Sequence, residues 1–270
     1  LLLGDESAAV KAEGMGWLRK AAAQKYPAAL TEMGIKAFNG QDGVRKDEPA
    51  ALQWFTQAAN LGDGDGQYFL ALMIEDGLSV QKDAKVALQW MQLAAEAGSD
   101  RAQALLGSRY LDGERLPKDM ARGVELMRKA AEQDNARAMA VLASLYVQGK
   151  GVPKDERVAF DWVTKAAAGG DAHDLMVLSA YYWDGTGTPK DHVKAMSLLR
   201  KAAVMGDPTA QLRLGRAYAN GHGGAPKNGE QAEYWIRRAA DQGEEEAQAI
   251  MTRVLDERAK TAKKAREILK

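Results

Sequence analysis

Lys154-Asp155-Glu156-Arg157-Val158-Ala159-Phe160-Asp161-Trp162-Val163-Thr164-Lys165-Ala166-Ala167 decides the fold, because versions of this stretch return along the whole chain at a nearly constant interval. Registering the paired alanines that close it puts their first members at Ala21, Ala58, Ala94, Ala130, Ala166, Ala202 and Ala239, with successive spacings of 37, 36, 36, 36, 36 and 37 residues. A fixed period of this length is the mark of a stacked array, in which one supersecondary unit buries its apolar face only against its neighbours.

Each period reads as helix, short loop, helix, short loop. In the unit at 102–137, Ala102, Leu106 and Tyr110 stand four apart on one helical face. Gly113 stops that helix, since glycine alone takes a left-handed C-cap freely. Pro117 and Asp119 restart the chain, and the aspartate is placed to accept a bond from an orphan backbone N–H at the next helix entrance. The same punctuation recurs. First helices stop at Gly40, Gly77, Gly113, Gly149, Gly185 and Gly221, and second helices begin at Asp47, Asp83, Asp119, Asp155, Asp191 and Asn228. The outer two loops carry one extra residue, which accounts for both 37-residue spacings. Second helices carry Trp54, Trp90, Leu126, Trp162, Leu198 and Trp235 at one equivalent position. They usually end at glycine (Gly62, Gly98, Gly170, Gly206, Gly243), with Asp134 replacing it once. This organisation divides the chain into a capping half-repeat at 1–28, six repeats at 29–246 and a capping helix at 247–270.

Composition removes several function classes. The 37 basic and 37 acidic side chains cancel, so no global field draws the chain to nucleic acid. Zero cysteines exclude disulfides, thiolate metal sites and cysteine nucleophiles, and leave the compartment open. No apolar run approaches the roughly 18 residues of a membrane span. Leu1-Leu2-Leu3 is too short for a signal-peptide core and fits the tail of a leader or of a helix that begins upstream.

The fourth unit carries Ala138, Leu142, Tyr146, Gly149, Gly151, Val152, Asp155, Ala159, Trp162, Lys165, Ala166, Ala167 and Gly170. This pattern resembles the Sel-one-like repeat, a relative of the tetratricopeptide repeat, with Ala143 where the family prefers glycine. The resemblance runs nearly the whole length and is weakest in the second unit, which has Gly66, Ala71, Ile74 and Ser79 at four marked positions. It implies an all-α, right-handed α/α superhelical solenoid of about six helix-turn-helix repeats with atypical terminal capping helices. First helices would line a concave face and second helices form the convex back, with alanines permitting close helix approach and each tryptophan filling space between units.

Recurring positions belong to the scaffold, so candidate binding residues are those that vary on the side of the first helices opposite Ala102, Leu106 and Tyr110. A rotation of about 100° per residue sorts them. That side collects Phe38, Tyr68, Leu72, Glu75, Asp76, Leu111, Asp112, His173, Met176, Trp183 and Asp184, with Tyr181 beside them. Thr31, Ile35, Asn39, Arg101, Ser108, Arg137, Ser144, Val147, Gln148, Leu212, Arg216 and Asn220 extend the same faces. Trp183 alone among the six tryptophans stands outside the second-helix register shared by Trp17, Trp54, Trp90, Trp162 and Trp235. An accessible aromatic cluster there has the character of an interaction hot spot; packing on a neighbouring loop is the competing reading. The row Asn39, Asp76, Asp112, Gln148, Asp184 and Asn220 is polar throughout, as helix ends facing water also are.

Catalytic and metal signals are weak. His173, His192 and His222 fall in different units at non-equivalent positions, and Gly221-His222-Gly223-Gly224 lacks the lysine and preceding strand of a phosphate loop. No cofactor, no metal and no catalytic residue is expected. The resemblance implies a protein-binding adaptor, often of bacterial envelopes. An alternative is an immunity protein that neutralises a cognate secreted, phospholipase-like toxin by direct binding, and a groove that binds polysaccharide is a weaker third. A periplasmic or envelope location follows from the same resemblance, with the cytoplasm as the alternative.

Overall fold

The computed structural model describes residues 2–268, with side chains described over 10–262 and at 264. Leu1 and the last two residues of the basic tail, Leu269 and Lys270, lie outside that range. The described residues form fourteen helices and no strand. They are α1 (Leu2–Ala23), α2 (Pro27–Asn39), α3 (Glu48–Asn60), α4 (Gly64–Asp76), α5 (Ala84–Glu96), α6 (Asp100–Asp112) and α7 (Met120–Glu132). Then come α8 (Ala136–Gln148), α9 (Glu156–Ala168), α10 (Ala172–Asp184), α11 (His192–Met205), α12 (Pro208–Asn220), α13 (Gly229–Asp241) and α14 (Glu245–Ile268). Even-numbered helices are the first helices of the repeats and odd-numbered ones the second. The chain is thus an all-α repeat solenoid. It divides into two compact units, 1–138 and 139–270, and the division falls inside α8.

The punctuation residues act as the sequence requires. Gly40, Gly77, Gly113, Gly149, Gly185 and Gly221 all take the left-handed conformation, with φ between 65° and 80°. Glycine is needed there twice over: a Cβ at Gly40 or Gly113 would also stand 3.1–3.2 Å from the Cβ of the lysine that precedes the next helix entrance. Asp47, Asp83, Asp119, Asp155, Asp191 and Asn228 each cap a second helix by accepting from a backbone N–H two or three residues on. Their own N–H groups reach back to the first helix, as from Asp119 to the Tyr110 carbonyl at 2.9 Å and from Asp155 to Tyr146 at 2.9 Å. That bond closes each helix hairpin. First helices also have caps. Asp63, Ser99, Asn135, Asp171 and Asp207 each accept from the first turn that follows.

Asp134, where five other repeats place glycine, holds φ = 64°. A non-glycine residue is strained in that region. Asp134→Gly is therefore expected to stabilise the chain by about 1 kcal/mol and to raise Tm by about 2–4 °C. A thermal melt unchanged from wild type would show that the aspartate relieves its own strain.

First helices α2, α4, α6, α10, α12 and α14 lie against the second helix before them, all but α14 also against the one after, and first helices touch one another, as α2 touches α4 and α10 touches α12. Buried glutamines tie these layers. Gln211 is fully buried; its Nε2 donates to the Ala203 carbonyl at 3.0 Å and its Oε1 accepts from Gln242 at 2.8 Å. The apolar centre sits one residue beyond the recurring tryptophan. Trp54, Trp90 and Trp162 are only half-buried, whereas Phe55, Met91, Met127, Val163, Leu199 and Ile236 are buried. One step along the helix turns the side chain from the flank, where Trp90 bridges the cores of successive repeats, to the face of the first helix. That face is cut away to receive it. A Cβ at Gly34 would stand 2.5 Å from the Phe55 ring, and one at Gly215 would stand 2.6 Å from Ile236. Trp17 is 63% exposed and has Lys20 4.7 Å from its ring.

Candidate functional site

Two clefts open on the first helices, one in each unit, and they are built from equivalent positions. In unit 1 a cleft of about 320 Å³ lies between α2 and α4. It is lined by Ile35 and Phe38 of α2, by Phe69, Leu72, Met73 and Asp76 of α4, by Phe55 beneath, by Leu78 after the stop glycine, and at its edge by Asn39 and Arg101. In unit 2 a cleft of about 400 Å³ lies between α10 and α12. Ala180 and Trp183 occupy the places of Ile35 and Phe38 there. Arg213, Arg216, Ala217 and Asn220 stand where unit 1 has Phe69, Leu72, Met73 and Asp76. Leu199 replaces Phe55, and His222 replaces Leu78. Counted back from the stop glycines, the six first-helix pairs match residue for residue, whereas Asn39 and Arg101 line only the unit 1 cleft and Ser179 only the unit 2 cleft. The geometry is the repeat's and the chemistry is local: mainly apolar and phenylalanine-rich in unit 1, with Asp76 and, at the edge, Arg101; in unit 2 one tryptophan faces two arginines of the same helix.

Trp183 packs on a neighbouring loop and also lines the cleft. Its ring stacks on His192 with centroids 4.8 Å apart at 28°, and the 221–224 loop closes against it so tightly that a Cβ on Gly223 would stand 2.6 Å away. The indole is half-buried and forms one wall of the cleft.

Of the other expected residues, Phe38, Leu72 and Asp76 meet in the unit 1 cleft. Tyr68 is half-buried, edge-on to Phe69 at 5.1 Å; burial raises its phenol pKa against the opposing pull of Arg101, Arg137 and Arg109. Asp112 and Asp184 are exposed at their helix ends, and Asp112 accepts from Ser108 at 3.3 Å. His173 is exposed, with Nδ1 3.7 Å from an Asp207 carboxylate oxygen. Tyr181 is half-buried against the unit 2 core, and burial raises its phenol pKa.

Three expectations need correction, because Glu75, Leu111 and Met176 are buried and offer no surface to a partner. A helical wheel sorts two faces, but each first helix in the array is covered on three sides. Leu111 faces α7, where a Cβ on Gly123 would meet its side chain at 2.7 Å. Met176 stands at a position where Thr31, Ala104 and Leu212 are buried too, while Tyr68 is half-buried and Ala140 exposed; Thr31 there donates to Asp63, the cap of α4, at 2.6 Å. Glu75 is held by Arg109 at 2.6 Å and by Arg115. Conversely, Arg213, Leu199 and His222 line the unit 2 cleft but lay off the sorted face. Aligning Arg213 with Phe69 and His222 with Leu78 across the period is the signal that finds them.

No group of three or more His, Asp or Glu side chains among the described residues is arranged to hold a metal ion. No helix among them is long and apolar enough to cross a membrane.

The Sel1 repeat pattern matches this chain over residues 2–26, 27–63, 64–99, 100–135, 136–171, 175–207 and 208–244. Among solved structures, one that resembles it is c5321, a protective antigen present in uropathogenic Escherichia coli strains and displaying an SLR fold. The two are 31% identical with a TM-score of 0.71, over 90% of this chain and 51% of the other. The chain thus spans about half the length of that protein. A Sel1 repeat protein from Oxalobacter formigenes is 29% identical, with a TM-score of 0.70 over 86% of this chain and 95% of its own. The immunity protein PA5088 from Pseudomonas aeruginosa shares the fold at 17% identity, with a TM-score of 0.51 and 80% of each chain covered. No curated protein matches the chain in sequence.

Proposed function

This chain belongs to the Sel1 repeat family, and on that premise we propose that it is a scaffold that binds a protein partner through the side formed by its first helices. Sel1 repeat proteins act as protein-interaction scaffolds. The observation that carries the reading here is the pair of equivalent clefts with different linings. Packing imposes similar small or apolar residues at equivalent places, as at Phe55, Met91 and Met127, so positions that keep the geometry and change the chemistry are free of that constraint. Phe69 and Leu72 against Arg213 and Arg216 is a difference that recognition uses and the fold does not need.

Site-specific photo-cross-linking in the native cell tests the proposal. A photoreactive residue at Asp76 or Asn220, at the mouths of the clefts, is expected to capture a discrete partner. The same residue at Glu125 or Asp161, exposed on second helices, is not. Adducts confined to the second-helix positions would reject the first-helix side as the binding surface. An immunity role is a second proposal that rests on the likeness of fold to PA5088 alone. It requires that expression of this chain rescue cells from a co-expressed secreted toxin. An envelope location is likewise proposed, to be checked by fractionating cells that express the chain from its native gene.

A further inference from the structure

We propose that the unit 2 cleft takes an acidic peptide segment with an aromatic or large apolar side chain at its centre. This deepens the scaffold reading and rests on it. The cleft, at about 400 Å³, falls in the roughly 300–1,000 Å³ range of ligand pockets. Its wall and floor are apolar: the Trp183 ring, Ala180, Leu199 and Ala217. The indole is fixed on its far side by His192 and the 221–224 loop, so its free face is presented without further ordering. Such a surface receives a ring or a branched aliphatic chain.

Cations stand on the α12 side. Arg213 and Arg216 lie three residues apart on one helical face, and His222 and Asn220 follow at its end. Arg213 is exposed and forms no ion pair or hydrogen bond among the described residues. Arg216 meets Glu246 of α14, so a carboxylate already reaches that guanidinium from the chain itself. Both partners of the pair are about half exposed, which makes it weak and displaceable. Guanidinium groups match carboxylates in a two-point geometry, and a second carboxylate on a ligand would engage Arg213 beside it. Ser179, buried where other repeats carry glycine or alanine, lines the same cleft and makes no hydrogen bond among the described residues. Charge therefore favours an acidic segment over a basic one, and the apolar wall favours a peptide side chain over a bare anion. The unit 1 cleft is the internal comparison: it is built at equivalent positions, with Phe69 and Leu72 in place of the two arginines, Asp76 at its mouth and Arg101 at its edge.

Fluorescence anisotropy on the full chain tests this with a labelled peptide, Gly-Asp-Glu-Phe-Glu-Asp-Gly, and its counterpart with lysine at the four acidic positions. The acidic peptide is expected to bind saturably and the lysine peptide at least about tenfold more weakly, with the difference shrinking as salt rises. Arg213→Phe with Arg216→Leu rewrites the cleft as that of unit 1 and is expected to lower affinity for the acidic peptide about tenfold or more, with circular dichroism unchanged. Glu246→Gln removes the internal competitor and is expected to raise affinity about threefold. Equal binding of the two peptides, no binding of either, or an affinity indifferent to the arginine replacements would overturn the inference. Displacement by inorganic phosphate as complete as by unlabelled acidic peptide would make this a small-anion site and also overturn it. None of these results touches the cross-linking at Asp76, so the scaffold reading stands or falls separately.

Discussion

Phe55→Ala is expected to lower the stability of the chain by about 3–5 kcal/mol, the range for truncating a large buried aromatic side chain. Phe55 is 1% exposed, stacks on Phe69 with centroids 5.0 Å apart at 19°, and fills the space left by the absent side chain of Gly34. The ring therefore joins α3 to two first helices, its own and that of the next repeat. An alanine there leaves a void between α2 and α4, and both are tied to α3, by the bonds from Asp47 to the Ala37 carbonyl and from Asp63 to the Ala58 carbonyl. The urea midpoint measures the loss. Because contacts in an array reach only nearest neighbours, hydrogen exchange is expected to accelerate most in α2 to α5. Phe55→Met discriminates the cause. Methionine already fills the equivalent places at 91 and 127, so it should cost less than about 1.5 kcal/mol. Equal losses for alanine and methionine would mean that the ring stack, and not the filled volume, holds the site together.

The same residue shows what a repeat lets a reader see. Positions that demand one residue type announce themselves by recurring: the stop glycines need a left-handed backbone, and the entrance aspartates need a side-chain acceptor of fixed reach. Both were legible, and with them the helix boundaries. The deepest core position demands only apolar volume, so Phe55, Met91, Met127 and Val163 do not look alike. The tryptophan position is more uniform, yet Trp54, Trp90 and Trp162 are only half-buried on the flank and Trp235 alone is buried. Uniformity in sequence reports how many residue types a position tolerates, and burial is a different quantity.

The candidate site was legible in part for a related reason. Phe38, Leu72, Asp76 and Trp183 lie on the sorted face and do line clefts. Glu75 and Leu111 sit two residues before their stop glycines, as Phe38 and Trp183 do, yet they are buried. Size and partner decide between the two outcomes. An aromatic ring at that place reaches past the neighbouring loop into the cleft, whereas the shorter leucine turns in against Gly123, and the glutamate is drawn in by two arginines. Those arginines come from the following repeat, at distances of 34 and 40 residues in sequence, and a pairing of that kind leaves no periodic trace.

Removing that pairing has the second large expected effect. Glu75 is 8% exposed and Arg109 is nearly as deeply set, while Arg115 reaches in from the solvent side. Glu75→Ala leaves the Arg109 guanidinium buried without its counter-ion, for an expected loss of about 3 kcal/mol, the lower end for a broken buried pair because Arg115 itself regains water. Burial by itself pushes the Glu75 carboxyl up, but the hydrogen bonds and charges of Arg109 and Arg115 together outweigh it and hold the group below its usual value of 4.5. A carboxyl whose pKa is lower in the folded state contributes stability that is fully present above the unfolded value and is lost as pH falls through the folded one. The difference in urea midpoint between wild type and Glu75→Ala should accordingly be constant from pH 8 to about 5.5 and shrink below about pH 4.5. Other repeats put Phe38, Leu111, Val147, Trp183 or Ala219 at this position, so the array has no general need of a charge there. Glu75→Leu combined with Arg109→Met should therefore recover most or all of the loss, since a packed apolar pair of similar volume replaces a buried ion pair at little cost. A double variant as unstable as Glu75→Ala alone would mean that the glutamate is held for the geometry it imposes on the loop through Arg115, and that the pair's charge is secondary.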